Sequence, residues 1–231
     1  MTAEGFLASL SGEEADALKA AGVRRTYGAH VTLVHQDDEA GPVVVLLAGR
    51  AKIAVSEAGR EAIFGVVGPG ELIGELAAIE GSPRSTTVTT LEPVDALVIP
   101  RSEFMGVINR HPRIALEILR VVARRLRYAD AQRAQYATLD VAGRLAQRLL
   151  ELCDRFGVEQ ERGIEIRLPL SQEELASWVG ASREAVSKAF QLLRTLQIVE
   201  TGRRRVTVLD LGALQRQAQW GVAPDASRAG A

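Results

Sequence analysis

The sequence predicts an α+β protein with a β-rich N-terminal domain, one long helix, and a helical C-terminal domain that ends in a β-hairpin. Between about Val31 and Ile99, short runs of β-forming residues are bounded by Gly, Pro and Asp. Such spacing is typical of a sandwich or small barrel. Beyond Pro112 the apolar residues recur at helical spacing. Near the C-terminus, two apolar runs flank Thr201-Gly202-Arg203, which predicts the hairpin.

The N-terminal domain, residues 1–112, begins with an amphipathic helix over 6–20, in which Ser11 and Glu14 are placed to cap a turn. Six β-type runs follow, and turn residues separate each run from the next. A further short helix is expected over 102–109. The predicted strands are 31–34, 43–47, 51–55, 62–67, 86–90 and 96–99.

One long helix is predicted from about Arg113 to about Tyr136, and residues 113–138 are assigned to a dimerisation helix. Pro112 suits its first turn, where the missing N–H would be unpaired in any case. Apolar residues recur along it at alternating spacings of four and three, as in a coiled-coil seam. We expect this seam to form a dimer interface; the alternative is a helix wholly buried in its own domain. The seam residues are Ala115, Leu119, Val122, Leu126 and Ala129.

The C-terminal domain, residues 139–220, is predicted to start with a helix over 141–156 that Asp140 can cap. A short alternating run at 164–168 predicts one strand. The Ala- and Gly-rich end of the chain, 221–231, predicts a disordered tail.

The stretch from Ser171 to Leu193 predicts a helix-turn-helix. Ser171 and Glu174 suit a capping box at the first helix. Gly180 tolerates the left-handed conformation that the turn needs, and Ser182 can cap the second helix. Together with the hairpin that follows, these helices make a winged helix. The inner face of the second helix would be Val186, Ala189, Phe190 and Leu193.

The outer face of that second helix carries polar groups of the kind that read base edges in a major groove. Basic residues also dominate the segment 181–205, although the whole chain has a formal net charge of -1. We therefore predict double-stranded DNA as a partner; the alternative is a two-helix hairpin with a solvated charged face. Arg183 can donate hydrogen bonds to guanine O6 and N7, and Glu184 can accept one from cytosine N4. The predicted DNA-binding residues are Ser171, Ser182, Arg183, Glu184, Ser187, Lys188, Arg203, Arg204 and Arg205.

Composition excludes several other classes of protein. Hydrophobic residues make up 47% of the 231 residues and charged residues 25%, as in a packed globular protein. Cys153 is the only cysteine, which excludes an internal disulfide and an iron–sulfur cluster held by several cysteines. Neither a signal peptide nor a bilayer-spanning run is visible, so we expect a cytoplasmic protein without membrane contact.

No enzyme is predicted, because no Ser/His/Asp or metal-ligand cluster is visible in the sequence. No metal and no obligatory cofactor are expected. We interpret the three histidines as structural or solvated rather than as haem ligands. They are His30, His35 and His111.

Six short motifs stand in a characteristic order along the chain, at 49–53 (GRAKI), 68–76 (GPGELIGEL), 84–86 (RST), 123–126 (ARRL), 139–144 (LDVAGR) and 182–184 (SRE). On these motifs the sequence resembles the CRP/FNR superfamily of bacterial transcription regulators, and in particular its cyclic-AMP receptor branch. The resemblance implies a homodimer with a jelly-roll-like β-roll that binds a cyclic nucleotide, a dimerisation helix and a winged helix-turn-helix. It also implies RNA polymerase as a further partner.

The resemblance implies a pocket for the effector, cyclic AMP or cyclic GMP. Gly74 would offer a backbone amide, Glu75 would accept from the ribose 2′-hydroxyl, and Arg84 and Ser85 would bind the cyclic phosphate. The alternative is that Arg84 is merely solvated after a turn and that Glu75 caps a helix start. The implied effector-binding residues are Gly74, Glu75, Leu76, Arg84, Ser85, Thr86 and Asp130.

The chain departs from the family where the base should bind. Cyclic-AMP receptors meet the base with a Thr-Ser pair on the dimer helix, and the matching positions here are Ala129 and Asp130. Asp130 can accept from the adenine amino group or from guanine N–H groups. A regulator of the same fold that binds no ligand, or another ligand, in a degenerate pocket is therefore the alternative.

In the DNA-binding domain, Arg183 and Glu184 match two residues with which cyclic-AMP receptors contact bases. Lys188 stands at the position of their third base-contacting residue, which is usually Arg. Ser187 matches the serine of the FNR branch. We expect a palindrome with TGTGA-like half-sites, and allosteric control through a hinge near 138–140.

Overall fold

The computed structural model describes residues 5–57, 59–167 and 169–220. The described residues form two compact units, one up to Arg127 and the other from Tyr128 onward. The division lies inside the long helix, whereas the sequence-based division places boundaries before and after that helix. The predicted tail over 221–231 lies outside the described residues.

The N-terminal unit contains two antiparallel four-stranded sheets with the strand orders β1-β8-β3-β6 and β2-β7-β4-β5. One apolar cluster joins residues of both sheets, including Val44 and Leu46 of the first and Val67 and Val88 of the second. The strands are β1 (Val23–Tyr27), β2 (Thr32–Val34), β3 (Val43–Ala48), β4 (Ala51–Glu57), β5 (Arg60–Val67), β6 (Leu72–Ile73), β7 (Thr87–Thr90) and β8 (Val94–Ile99).

Helices cover the other face of the first sheet. A second apolar cluster joins Val43 and Val45 of β3 to helical residues such as Phe104 and Ile114. Strand β3 is thus buried on both faces, which explains its continuous apolar sequence. The helices of this unit are α1 (Gly12–Ala20), α2 (Glu75–Glu80), α3 (Arg101–Arg110) and the first part of α4 (Pro112–Thr138).

The long helix α4 presents two different faces. Ile114, Ile118 and Val121 are buried against the core of the N-terminal unit. By contrast, Leu119 and Leu126 of the predicted seam are each 62% exposed. Since these seam leucines are exposed in the single chain, the alternative of a wholly buried helix is wrong.

The C-terminal unit combines helices with an antiparallel sheet of order β11-β12-β10-β9. Helix α5 contributes many buried residues, among them Leu145, Leu149 and Leu152. Helices α6 and α7 form the predicted pair around Gly180. The elements are α5 (Val141–Phe156), β9 (Val158–Gln160), β10 (Gly163–Arg167), α6 (Gln172–Val179), α7 (Arg183–Thr195), β11 (Val199–Gly202), β12 (Arg205–Val208) and α8 (Leu211–Trp220).

The structure corrects the predicted elements in several places. The helix expected over 6–20 is divided into a 3₁₀ turn at Phe6–Ser9 and helix α1, because Ser11 forms a complete capping box with Glu14. Strand β1 was not predicted, because it lacks an apolar alternation and is mostly exposed at the edge of its sheet. The short elements β6 and β9 and the last helix α8 were also not predicted, and α2 was anticipated only in the alternative that places Glu75 at a helix start.

Candidate functional site

The Gly-Glu-Leu motif lies at the turn between β6 and the start of α2. Gly74 caps α2 with a φ of 81°, in the left-handed region that favours glycine. A Cβ atom added to Gly74 would collide with the guanidinium of Arg84. Glycine is therefore favoured here by the backbone conformation, and a larger residue would also displace the Arg84 guanidinium.

Arg84 is only 5% exposed and is held by backbone carbonyls. Its Nη1 donates to Gly74 O and its Nη2 to Pro42 O, each at 2.7 Å. The Arg84 backbone is also fixed, because its N–H donates to Asp38 O at 2.8 Å. Burial lowers the pKa of Arg84, while the carboxylates of Glu75 and Asp38 raise it. The alternative of a solvated Arg84 does not agree with this burial.

Glu75 begins α2 and is 1% exposed. Its Oε1 accepts from Arg125 Nη1 at 2.6 Å, and Arg125 Nη2 donates to Leu72 O at the same distance. The other carboxylate oxygen, Oε2, is buried and accepts no hydrogen bond in the described part of the chain. Glu75 thus has one buried carboxylate oxygen without a hydrogen-bond donor among the described residues. Arg125 was missed as a site residue, although it stands in the Ala-Arg-Arg-Leu motif.

A small cavity of about 50 Å³ lies between these groups. Its lining unites six of the seven predicted effector residues, Gly74, Glu75, Leu76, Arg84, Ser85 and Thr86, with Arg125 and an apolar wall from Val34, Ile53, Leu72, Ile73, Ala77 and Val88. Asp130 is not part of this lining. Its exposed carboxylate lies 3.7 Å from Arg133. A role for Asp130 in effector binding therefore stays a prediction.

In the C-terminal unit, two capped helix starts define the helix-turn-helix. Ser171 forms a capping box with Glu174, whose N–H donates to Ser171 Oγ at 3.1 Å. Ser182 Oγ accepts from the N–H of Ala185 at 3.2 Å. Between the helices, Gly180 has a φ of 67°. The local signals in the sequence therefore form the expected hydrogen bonds.

Arg144 of α5 donates hydrogen bonds to the turn of the helix-turn-helix. Its Nε donates to Val179 O at 2.9 Å, and its Nη2 donates to Gly180 O at 3.3 Å. A third bond runs from Nη1 to Leu139 O at 2.7 Å, and the guanidinium also lies over the Tyr136 ring. This role of Arg144 was not foreseen, although the motif that contains it was recognised.

Helix α7 presents its predicted outer face to solvent. Val186, Ala189 and Leu193 are buried on the inner side, and Phe190 is half-buried. Arg183 Nε donates to Gln172 Oε1 on α6 at 3.1 Å, a contact that sequence reasoning missed. The exposed residues of the outer face are Arg183, Glu184, Ser187 and Lys188.

The wing is the turn between β11 and β12. Arg203 and Arg204 form this turn, with Arg204 at a φ of 55°, and both are exposed. Arg205 is exposed at the start of β12, and its Nη1 lies 3.8 Å from Glu165. Three consecutive guanidinium groups thus stand at the end of the sheet.

The described residues provide no group of three or more His, Cys, Asp or Glu side chains that could hold a metal ion. His30 and His35 are exposed, and His111 is half-buried. Among the helices within the same described ranges, none is long and apolar enough to cross a membrane.

Two family models match two separate segments of the chain. The model described as a cyclic nucleotide-binding domain matches residues 24–111, which include every residue of the cavity lining except Arg125. The model described as a Crp-like helix-turn-helix domain matches residues 143–217, which include α6, α7 and the wing.

Individual relatives agree with these matches. A CRP-like cAMP-activated global transcriptional regulator of Mycobacterium tuberculosis is 32% identical over 189 residues, which cover 81% of this chain and 84% of the relative. The structure of a CRP-family transcriptional regulator of Thermus thermophilus is 27% identical, with a TM-score of 0.70, and the match covers 84% of this chain and 96% of that one.

The fold is also that of the c-di-GMP-responsive regulator CLP of Xanthomonas campestris, with a TM-score of 0.76, 24% identity and coverage of 87% of this chain and 100% of that one. Members of the matched family regulate transcription and are not enzymes. The chain therefore belongs to the CRP/FNR superfamily of DNA-binding transcriptional regulators.

Proposed function

We propose that this protein is a homodimeric regulator whose affinity for a DNA palindrome is controlled by a cyclic nucleotide bound in the N-terminal β-roll. The observation that carries the proposal is the buried Arg84 beside Glu75 in a cavity of the matched nucleotide-binding domain. A buried cation next to a buried carboxylate with an unused acceptor fits a ligand that has both a phosphate and a hydroxyl.

Each polar group around the cavity can be assigned to one part of a cyclic nucleotide. A guanidinium has five N–H donors, so the two bonds from Arg84 to carbonyls leave others for the cyclic phosphate. The Ser85 hydroxyl and the Gly74 amide supply further donors, and Glu75 Oε2 accepts from the ribose hydroxyl. Pockets for drug-sized ligands measure about 300–1,000 Å³, so we expect the 50 Å³ cavity to widen when the nucleotide binds.

Cyclic AMP is the effector that we favour, since the M. tuberculosis relative is cAMP-activated. Cyclic GMP is the alternative, because Asp130 has only acceptor oxygens and guanine offers adjacent N–H donors. The effector of the X. campestris regulator is a different nucleotide, c-di-GMP. Nucleotide choice therefore has to be measured on this chain.

The exposed seam of α4 supports the homodimer. The seam residues Leu119 and Leu126 are each 62% exposed, on a helix whose other face is already buried in the core. Leucines repeated along one helix face gain most by packing against a second copy in a two-fold arrangement. Such a dimer would present two α7 helices to adjacent major grooves.

DNA readout is assigned to the exposed face of α7. Arg183 would bind guanine through O6 and N7, and Glu184 would accept from cytosine N4. Lys188 donates without a planar fork, so it should discriminate less than an arginine would. Ser187 is assigned to thymine or a phosphate, and the capping serines Ser171 and Ser182 lie at helix starts that suit phosphates. The wing residues Arg203, Arg204 and Arg205 would bind the DNA backbone.

Control would act through the hinge between α4, which ends at Thr138, and α5, which Asp140 caps. RNA polymerase would be contacted by the DNA-bound dimer. A second candidate function is a regulator of this fold that ignores nucleotides. The exposed Asp130, paired with Arg133, favours that candidate, because it leaves the base site without the family's hydroxyl pair.

Two binding measurements on the full-length protein test the proposal. Calorimetric titration with cyclic AMP and cyclic GMP should show one of them binding, and binding of neither would favour the second candidate. Competition at fixed salt between a TGTGA-palindrome duplex and a scrambled duplex should favour the palindrome. Equal affinity for both duplexes would contradict the assigned DNA sequence.

A further inference from the structure

The reading residue Arg183 is connected to the other helix of the helix-turn-helix through Gln172. Arg183 Nε donates a hydrogen bond to Gln172 Oε1 at 3.1 Å, across 11 residues of sequence. The acceptor assignment is fixed by chemistry, because Nε of arginine only donates and only the amide oxygen of glutamine accepts. Both side chains are exposed on the surface that contains the outer face of α7.

Both residues occupy the first position of a well-capped helix. The Ser171 capping box fixes the start of α6 at Gln172, and the Ser182 cap fixes the start of α7 at Arg183. The turn between the helices accepts two hydrogen bonds from Arg144, at Val179 O and Gly180 O. The backbones that carry the two side chains are therefore fixed relative to each other, even though the side chains themselves are exposed.

The bond to Gln172 decides which edge of the guanidinium remains open. A guanidinium can make paired hydrogen bonds through its Nε edge or through its Nη1 and Nη2 edge. When Nε donates to Gln172, the edge formed by Nη1 and Nη2 is the one left for the O6 and N7 atoms of guanine. Because a long exposed side chain otherwise samples many rotamers, such a bond also limits the orientations that Arg183 adopts before binding.

We propose that Gln172 is a positioning residue that directs the Nη1 and Nη2 edge of Arg183 toward one G·C pair, and so sets specificity at that pair. The proposal rests on the proposed function, namely base reading by Arg183. It assigns Gln172 an effect at a single position of the DNA site. A residue that only contacts a phosphate would instead change the affinity for all sequences alike.

Two substitutions of Gln172 distinguish the effect of its acceptor oxygen from the effect of the rest of its side chain. Gln172→Met keeps the length of the side chain and removes the oxygen, whereas Gln172→Glu keeps an acceptor oxygen. Gln215→Met is the matched control, since Gln215 is an exposed glutamine on α8. Arg183→Ala identifies the base pair that Arg183 reads. Circular dichroism melting of every variant establishes that the domain remains folded.

The full-length proteins are first used to select a preferred site from a randomised duplex library, with saturating cyclic AMP and at fixed salt. The dissociation constants are then measured for the selected site and for its variants with one base pair changed. We expect Gln172→Met to reduce discrimination at the Arg183-dependent pair by about threefold to tenfold, the effect of one lost hydrogen bond. Discrimination at the other pairs should not change. Gln172→Glu should keep the discrimination while binding all duplexes more weakly, because it adds a negative charge near phosphates.

The double variant Gln172→Met/Arg183→Ala should discriminate no less than Arg183→Ala alone. Suppose that Arg183→Ala relaxes discrimination at one pair. If Gln172→Met then weakens the affinity for all duplexes equally, or leaves discrimination unchanged, the role of Gln172 is overturned and the proposed function stands. If Arg183→Ala relaxes no pair, base reading by Arg183 is wrong and the role of Gln172 is wrong with it.

Discussion

The hydroxyl of Tyr128 on α4 donates a hydrogen bond to Glu151 Oε2 on α5 at 2.5 Å. The same hydroxyl oxygen accepts from Arg148 Nη1 at 2.9 Å. Arg148 is 2% exposed, and its guanidinium lies 5.7 Å from the centre of the Trp178 ring on α6. Tyr128 therefore links the last part of α4 to a buried arginine beside the first helix of the helix-turn-helix.

Removing the Tyr128 hydroxyl should destabilise the C-terminal unit. Tyr128→Phe keeps the aromatic ring but leaves the buried Arg148 with one hydrogen bond fewer, at a cost of about 1–3 kcal/mol. Urea unfolding followed by circular dichroism measures the loss. Tyr136→Phe is the control, because the Tyr136 hydroxyl donates over 3.4 Å from an exposed side chain. Equal stability of Tyr128→Phe and the wild type would contradict the structural role of this hydroxyl.

Tyr128 also predicts a dependence of stability on alkaline pH. Burial, and next the charge of Glu151, raise the pKa of Tyr128 above its ordinary value of 10.0. Above about pH 10 the unfolded chain releases a proton that the folded chain keeps, so the free energy of unfolding falls as the pH rises. The expected slope from this group is up to about 1.4 kcal/mol per pH unit. Urea unfolding between pH 9 and 11 should show a shallower slope for Tyr128→Phe, and parallel slopes would exclude this contribution.

Replacing Arg84 by lysine should weaken nucleotide binding without removing the positive charge. A lysine ammonium cannot bond Gly74 O and Pro42 O with a planar fork and still face the phosphate. We expect the dissociation constant for the bound nucleotide to rise about 10- to 100-fold, the effect of losing a charge-assisted hydrogen bond. Calorimetry measures it, with Arg24→Lys as the control because Arg24 pairs with Asp95 at the surface. An unchanged affinity for Arg84→Lys would place the phosphate elsewhere.

Charges placed in the α4 seam should separate the proposed dimer. The double variant Leu119→Lys/Leu126→Lys puts like charges on both sides of a two-fold interface and removes its apolar contacts. Sedimentation velocity should show monomers, whereas Val23→Lys, at an exposed position of β1, should leave a dimer. A dimeric double variant would mean that another surface joins the subunits.

Local signals predicted much of the fold, and long-range contacts explain what they missed. The capping boxes at Ser11 and Ser171 formed as expected, because each involves residues only three apart. The strand β1 is held by pairing with β8, about 70 residues later, and its own sequence carries no apolar alternation.

In the candidate site, too, the residues of local motifs were predicted and the long-range contacts were not. Gly74, Glu75 and Arg84 were predicted from motifs, yet the partners that hold them were not. Arg125 reaches Glu75 across 50 residues, and Arg84 reaches Pro42 O across 42. Such contacts depend on how sheets and helices pack together, which neither spacing nor residue type along the chain reveals.

The claim that a nucleotide controls DNA binding is tested most directly by fluorescence anisotropy of a TGTGA-palindrome duplex with the full-length protein at fixed salt. The dissociation constant is measured without nucleotide, with saturating cyclic AMP and with saturating cyclic GMP. Coupling of about 1–3 kcal/mol predicts a 5- to 150-fold tighter complex with one of the nucleotides. The same dissociation constant under all three conditions would contradict nucleotide control.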